Sequence, residues 1–350
     1  MTQSPNFFVV RLHFKAPFHL GLGKENEYSR SLKHIPSDTL HSALVACSQQ
    51  LFGQSGASPE FVSSWRLSSA FPFFGLTKED TRWYFPKPMI KLPLHFADNQ
   101  PDAPGRHKWA KQIAWLEKSV FEQVLAGNPI LVEEGHFGTS GLLDLRGELT
   151  DKSLSKSYTQ QRVTVPVPGV GEDPKPFLFD RVYLGVGAGL FTLITCPEVG
   201  QRKKLEAAFK LLGDHGIGAD RNLGNGNFEP EWSEMTLNLP AHPTHKVNLS
   251  LFCPERGELE GNLQDSSYLL SKRGGFISSI DNEQGLRLRK RSVFMFREGS
   301  IFPDSCPCNG KLLDLRPVQL PGQASFPHPV WRDGRPITLP ILVRPTEMSL

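Results

Sequence analysis

Long apolar runs are missing from this 350-residue chain, and no stretch approaches the roughly 18 residues that a membrane helix needs. Charge of either sign is also missing in excess: 39 Lys and Arg against 36 Asp and Glu leave a formal net charge of +3. No global basic field therefore announces a nucleic-acid partner, and any RNA site must be local. Cysteine is scarce, with five residues at Cys47, Cys196, Cys253, Cys306 and Cys308. An odd, scattered set excludes a disulfide framework, and Cys306-Pro307-Cys308 lacks the second pair that a zinc site needs. Cysteines set in apolar patterns read as reduced core residues, which fits a reducing, cytoplasmic compartment. Met1 to Asn6 carry neither a basic segment nor an apolar one, so no secretory leader is expected. Internal repeats, a GDD-type palm motif, an HD dyad and paired carboxylates are absent too. No metal and no cofactor are expected.

What the chain does have is glycine and proline, 31 and 29 residues, which suits strands and loops with few long helices. The densest glycine run is Gly216-Ile217-Gly218-Ala219-Asp220-Arg221-Asn222-Leu223-Gly224-Asn225-Gly226-Asn227-Phe228. Before it, Leu205, Ala208, Phe209 and Leu212 recur at helical spacing while Lys203, Lys204 and Lys210 face elsewhere. Gly213 stands where a left-handed C-cap is expected. The run is no Walker loop, because no Gly-Lys-Ser/Thr follows, and Arg221 breaks a G-x-G-x-x-G pattern. Two readings stand: a turn joining helix to strand, or a loop whose amides and Arg221 meet an anion.

At the other end of the chain, Phe8, Val10, Leu12 and Phe14 alternate as a strand with one buried face. Ser37 or Asp38 then caps a helix with an apolar stripe of Leu40, Ala43, Leu44, Cys47 and Leu51, closed by Gly53. Strand, capped helix and, far downstream, helix plus glycine-rich loop outline a β-α-β-β-α-β unit of ferredoxin-like type with long insertions.

These residues carry a family resemblance. F-K-A-P-F-H-L-G at 14–21, I-P-S-D-T-L-H-S-A-L at 35–44 and G-I-G-A-D-R-N-L-G-N-G-N-F at 216–228 stand in the order found in the RAMP superfamily of CRISPR proteins. F-P-K-P at 85–88, L-S-L-F-C-P at 249–254, S-K-R-G-G-F-I at 271–277 and the run 289–302 extend the likeness over about residues 7 to 345. Within the superfamily the chain most resembles the Csm-type subunit that holds the 5′ tag of the guide RNA (crRNA) in type III-A effector complexes. The resemblance implies an α+β chain of two ferredoxin-like (RRM-like) domains, the first with a thumb-like insertion that presses on the guide. It implies as partners crRNA, a large palm-domain subunit and a backbone RAMP subunit, with no membrane.

The expected division falls at residue 240, with an N-terminal domain over 1–240 and a C-terminal one over 241–350. The first contains an insertion over about 72–182. In it, Phe71 to Leu76 and Arg82 to Phe85 read as a hairpin around Thr77 to Asp80. Residues 107–125, with Trp109, Ile113, Leu116 and Val120, read as one helix. The turn-rich stretch 147–176 reads as a protruding hairpin. In the C-terminal domain Val247, Leu249 and Leu251 alternate as a strand, and so does the run from Arg291 to Phe296.

Single-stranded RNA is held through backbone charge, planar stacking and splayed base edges. The candidates are Arg221 with Asn222, Gly216, Gly218, Gly224 and Gly226 in the loop, and His19 and Gly21 after the first strand. Lys33 and His34 before the helix read as exposed, with a solvated loop as the alternative, and Arg221 has a pair with Asp220 or Asp214 as its own. The resemblance adds Lys87 and Arg162. The basic run Arg287, Arg289, Lys290, Arg291 is either a solvated face or a further contact. Some superfamily members are metal-independent ribonucleases, for which His13, His19, His34 and His41 are the candidate acid–base groups. No pairing of two such groups is forced, so a non-catalytic subunit is expected. A guide-processing ribonuclease, the equivalent tag-binding subunit of a type III-B complex and a small-anion-binding enzyme are the alternatives.

Overall fold

The computed structural model describes residues 6–22, 28–77, 79–98, 105–138, 141–147, 154–164, 174–275, 277, 289–317 and 328–348. Its organising element is strand β1 (Asn6–Phe14), which is apolar on both faces rather than on one. Phe7 and Val9 enter one core while Val10 and Leu12 enter another. A strand buried on both faces must lie in the middle of a covered sheet.

Along the chain follow helices α1 (Ser37–Phe52) and α2 (Pro59–Ser63) and strands β2 (Arg66–Leu67), β3 (Phe71–Phe74), β4 (Arg82–Pro86) and β5 (Leu94–Phe96). Then come α3 (Arg106–Gln112), β6 (Trp115–Glu117), α4 (Lys118–Leu125), β7 (Ile130–Val132) and β8 (Leu142–Leu143). A ten-residue ribbon of β9 (Ser155–Thr164) and β10 (Lys175–Leu184) precedes β11 (Ala188–Thr195), α5 (Val199–His215) and β12 (Phe228–Thr236). The main sheet runs β12-β1-β11-β3-β4-β6-β8. Taken in chain order, β1, β3, β11 and β12 stand in it as fourth, first, third, second, with antiparallel neighbours throughout.

Helices α1 and α5 cover one face. Leu40, Leu44 and Cys47 of α1 pack with Leu205, Ala208, Phe209 and Leu212 of α5 on Val10, Leu12, Leu190 and Ile194. Each fully buried side chain of this size contributes about 1.5–3 kcal/mol. The expected stripe holds except for Leu51, which is exposed, and Val45, which is buried instead. The opposite face takes Val120, Phe121 and Val124 of α4 together with residues from the end of the chain.

Those end residues form short pieces: β13 (His245–Asn248), β14 (Leu270–Arg273), β15 (Val293–Phe296), β16 (Ile301–Pro303), β17 (Leu312–Asp314), β18 (Trp331–Asp333) and β19 (Thr338–Ile341). Val247, Leu249, Leu339 and Ile341 share the core of Phe7, Val9 and Phe191. Among the described residues 241–348 contain no α-helix, so the second ferredoxin-like fold implied by the resemblance is not what these residues display. The structure is α+β and mainly sheet.

A further departure concerns 107–125, which is two helices around a strand. The amides of Ala114 and Trp115 donate to Gly141 O and the Lys87 amide to Ala114 O, so pairing with β4 and β8 interrupts the helix. The hairpin of β3 and β4 is as expected. No helix among the described residues is long and apolar enough to cross a membrane.

Candidate nucleic-acid interface

Helix α5 runs past Gly213 and ends at Gly216, whose amide donates to Leu212 O. Gly213 serves contact instead: a Cβ there would lie 2.3 Å from Phe228 O. Gly216, Gly218, Gly224 and Gly226 all have positive φ, as does Asp220 at 60°. At three of the glycines the need is also steric, since a Cβ would come within 2.3 Å of Asn225 O at 216, 2.3 Å of His19 O at 218 and 2.0 Å of Ile217 O at 226. Only at Gly224 is there room, the nearest atom to a Cβ being Asn227 Oδ1 at 3.9 Å. The loop is thus folded on itself and on the segment after β1. Ala219 donates to His19 O (2.9 Å), Gly226 to Pro17 O (2.8 Å) and Ile217 to Gly226 O (3.0 Å). The amides of Leu223, Gly224 and Asn225 are taken by Asp220 O and Arg221 O. The amides of 219 and 223–226 are thus already bonded within the protein. The exposed part is the tip, Arg221 to Gly224, wound as a single 3₁₀ turn.

The β9/β10 ribbon leans onto this loop. Arg162 donates to Asp220 Oδ2 at 2.6 Å and Arg181 Nη2 lies 3.5 Å from the same oxygen. Arg162 also lies over the Phe179 ring, 4.2 Å from its centroid. His19 packs tilted against that ring (4.6 Å between centroids), with Tyr28 stacked beside it at 6.1 Å. His19 is buried and its Nδ1 donates to Asp180 O at 2.7 Å, and among the described residues Nε2 has no partner. Burial lowers its pKa against the pull of Asp180 and Asp220, so the ring is neutral at pH 7. Arg162 is therefore a docking cation rather than a solvated one. The Asp220 carboxylate that was the alternative partner of Arg221 is held by Arg162 and Arg181. Sequence reasoning missed Phe179, Arg181 and Tyr28, although Phe177, Phe179 and Arg181 alternate on one face of a strand.

Lys33 and His34 lie beside Trp115, and the Lys87 amide donates to Ala114 O next to it. His34 packs edge-on against Trp115 at 5.7 Å, and burial lowers its pKa. It is turned inward, not exposed as expected. Lys33 lines a cavity of about 100 Å³ with Phe73, Trp115 and Leu154. Lys87 follows β4, half-buried, with its pKa lowered by desolvation. Gly21 is exposed and a Cβ there would meet nothing within 4 Å, so no close approach requires it; Gly23 lies outside the described residues.

The other histidines stand apart. His13 Nε2 lies 3.0 Å from Glu231 Oε2, and the other oxygen of that carboxylate binds Arg11. His41 is fully buried against Trp65, 3.4 Å from Asp333 Oδ2, and desolvation pushes its pKa down to about 4. Arg289 and Arg291 are exposed and Lys290 is half-buried, while Arg287 lies outside the described residues. The Cys308 thiol donates to Cys306 Sγ at 3.3 Å, and both are buried. Among the described residues no three His, Cys, Asp or Glu side chains converge as a metal site.

The chain resembles known proteins over most of its length. The family model of the CRISPR Csm4 C-terminal domain matches residues 242–341. The CRISPR system Cms protein Csm4 of Mycobacterium tuberculosis (strain H37Rv) is 28% identical over 312 residues, covering 87% of this chain and 89% of that protein. Csm4 of Thermococcus onnurineus is 27% identical over 263 residues, covering 72% and 76%. In a Csm3–Csm4 subcomplex of a type III-A interference complex, one solved chain superposes with a TM-score of 0.61 at 19% identity, covering 95% of this chain and 99% of that one. A chain from a Csm1–Csm4 cassette in complex with cA4 gives 0.58 at 20% identity, covering 97% and 100%.

Proposed function

We propose, for a chain that belongs to the Csm4 family of CRISPR proteins, that it is a non-catalytic RNA-binding subunit of a type III-A (Csm) effector complex in antiviral defence. It anchors the 5′ tag of the crRNA and docks on the large palm-domain subunit and the backbone RAMP subunit. The similar solved chains were found with Csm1 and with Csm3, which supports these two partners. The compartment is the cytoplasm.

One observation carries the RNA reading: the β9/β10 ribbon docks on the glycine-rich loop through Arg162, Arg181 and Asp220, leaving the tip at Arg221 to Gly224 exposed between them. A planar guanidinium at a protruding backbone tip forks onto phosphate. His19 and Arg162 build the floor of the site around Phe179, and Gly216, Gly218 and Gly226 give the loop its shape. Asn222 stands beside Arg221 at the tip. Lys33, His34, Lys87 and Gly21 are secondary contacts. The first half is read as ferredoxin-like on its fourth-first-third-second strand order, and we propose residue 240 as the boundary.

No catalysis is assigned, because each candidate histidine is met by a structural neighbour: Glu231 for His13, Asp180 O for His19, Trp115 for His34 and Trp65 for His41. The test is filter binding of a 5′-tagged guide. Arg221→Ala is expected to weaken it by about 1–3 kcal/mol and to flatten the salt dependence. Unchanged affinity and slope would remove the loop tip from the site. Metal-free cleavage of a repeat transcript by the purified chain would promote the ribonuclease alternative.

A further inference from the structure

We propose that Lys290, the Gly274-Gly275 turn after β14 and the guanidiniums of Arg273 and Arg332 form a second phosphate-binding site, which holds the sugar-phosphate backbone of the guide RNA on the C-terminal half of the chain. The inference rests on the RNA-binding reading above and adds a site separate from the loop at 216–228.

The turn is fixed through its carbonyls and open elsewhere. The Lys290 amide donates to Gly275 O at 2.9 Å, and Arg332 Nη2 donates to Gly274 O at 3.2 Å. Gly275 has a φ of 116°, and a Cβ there would meet nothing within 4 Å; at Gly274 it would meet only Ser292, at 3.5 Å. Packing within the protein therefore does not call for this glycine pair, unlike Gly216, Gly218 and Gly226, and a ligand can approach the backbone closely. The amides of Gly274 and Gly275 have no acceptor among the described residues, so both remain donors for an anion.

The cations at the turn outnumber their carboxylates. Arg273 donates from Nε and Nη2 to Asp38 at 2.8 and 2.9 Å, and Arg332 binds the same carboxylate. Asp38 and Arg332 are buried, and the Nε of Arg332 has no acceptor among the described residues. Lys290 is half-buried and makes no ion pair among the described residues. Desolvation and the neighbouring charge of Arg273 lower its pKa. Glu298, the other carboxylate acting on Arg273, already accepts from Ser69 Oγ. Three cations thus face two carboxylates, and a cation withdrawn from water beside another is costly until an anion neutralises it.

The surroundings favour an RNA backbone over a small anion. Lys272 precedes Arg273, and Arg289 and Arg291 flank Lys290, all three exposed. His34, which with Lys33 is a proposed RNA contact, lies within electrostatic reach of Arg273 and Arg297. A row of cations follows successive phosphates of one strand, whereas a free nucleotide or inorganic phosphate needs a single cluster. Guanidinium, ammonium and backbone amide together are the donors that a phosphodiester takes.

The experiment measures binding of a 5′-tagged guide to the full-length wild type, Lys290→Ala, Lys290→Arg and Arg221→Ala over a series of salt concentrations, with Lys210→Ala, exposed on α5, as the control. Binding of ATP and of the large subunit is measured alongside. Lys290→Ala leaves the backbone bond to Gly275 in place, and a melt checks that it folds. The expected result is guide binding about 3–10-fold weaker, with a salt slope smaller by about 0.7, the share of one phosphate on a single strand. Lys290→Arg is expected to recover affinity to within about twofold, and Lys210→Ala to match the wild type. Unchanged affinity and slope for Lys290→Ala would overturn the site; with Arg221→Ala still weakened, the RNA reading itself would stand. A loss confined to ATP or to the large subunit would also overturn it, reassigning the cluster to a free nucleotide or to protein. A wild-type chain that binds no guide would defeat the RNA reading, and this site with it.

Discussion

Replacing Asp220 by Asn tests whether the ribbon is clamped to the glycine-rich loop by charge. Asn tolerates the left-handed φ of 60° as well as Asp does, so the loop backbone is spared. What is lost is the anion shared by Arg162 at 2.6 Å and Arg181 at 3.5 Å. The side chains of Arg162 and Asp220 are only 21% and 19% exposed, so solvent screens the pair incompletely. A charge-assisted bond of this kind is worth about 1.5–3 kcal/mol, and an amide retains part of it, which leaves a loss of about 1–2 kcal/mol. At 1.4 kcal/mol per decade, the undocked population rises about 5–30-fold. The reporters are the amides that join ribbon to body: Phe18 to Val182 O, Val182 to Phe18 O and Asp180 to Tyr28 O. Native-state hydrogen exchange at these three is expected to accelerate by about tenfold, while β1 and β11 keep their rates. Unchanged exchange at all three would refute the clamp.

Gly226→Val is expected to cost more than about 3 kcal/mol in a denaturant melt, because its Cβ meets Ile217 O at 2.0 Å and its φ is 75°, whereas Gly224→Asn, whose Cβ meets nothing closer than Asn227 Oδ1 at 3.9 Å, costs less than about 1. Similar melts for the two would contradict this steric account. Asp38→Ala leaves Arg273 and Arg332 without their shared carboxylate and is expected to cost about 3–5 kcal/mol, with a loss below about 1 counting against it. His41 is held neutral, with its pKa lowered from 6.5 to about 4, so its contribution is complete above pH 6.5 and is lost as the pH falls toward 4. The loss is about 3 kcal/mol over that window, and His41→Leu should flatten stability between pH 6.5 and 4; an unaltered slope would exclude His41 as its source.

Much of the fold was legible because periodicity reports burial. The α5 stripe of Leu205, Ala208, Phe209 and Leu212 is buried as its spacing predicts. Strand β1 was read half-correctly: alternation found Val10 and Leu12, but a second covered face, filled by Val247 and Leu339 from the far end of the chain, leaves no mark within a nine-residue window. The split of 107–125 has the same origin. Trp115 and Leu116 fit a helix by local pattern, and only their pairing with β4 and β8 makes them a strand.

The glycine-rich loop shows why a motif locates a site better than it explains one. Gly216, Gly218 and Gly226 are required by contacts with Asn225, His19 and Ile217, all of them internal. Ligand approach therefore does not account for them, and the amides near them already donate to protein carbonyls. Their work is to fold the loop tightly enough that Arg221 to Gly224 project and Asp220 meets the ribbon. That meeting was hidden from the sequence, because Arg162 and Asp220 lie 58 positions apart and either reads alone as a solvated charge. Under the proposed role, the shape of the site depends on how the loop and the ribbon meet. Arg162, Arg181, Asp220 and Phe179 hold the ribbon against the loop, and under the proposed RNA-binding role a residue at the tip would act only while they do.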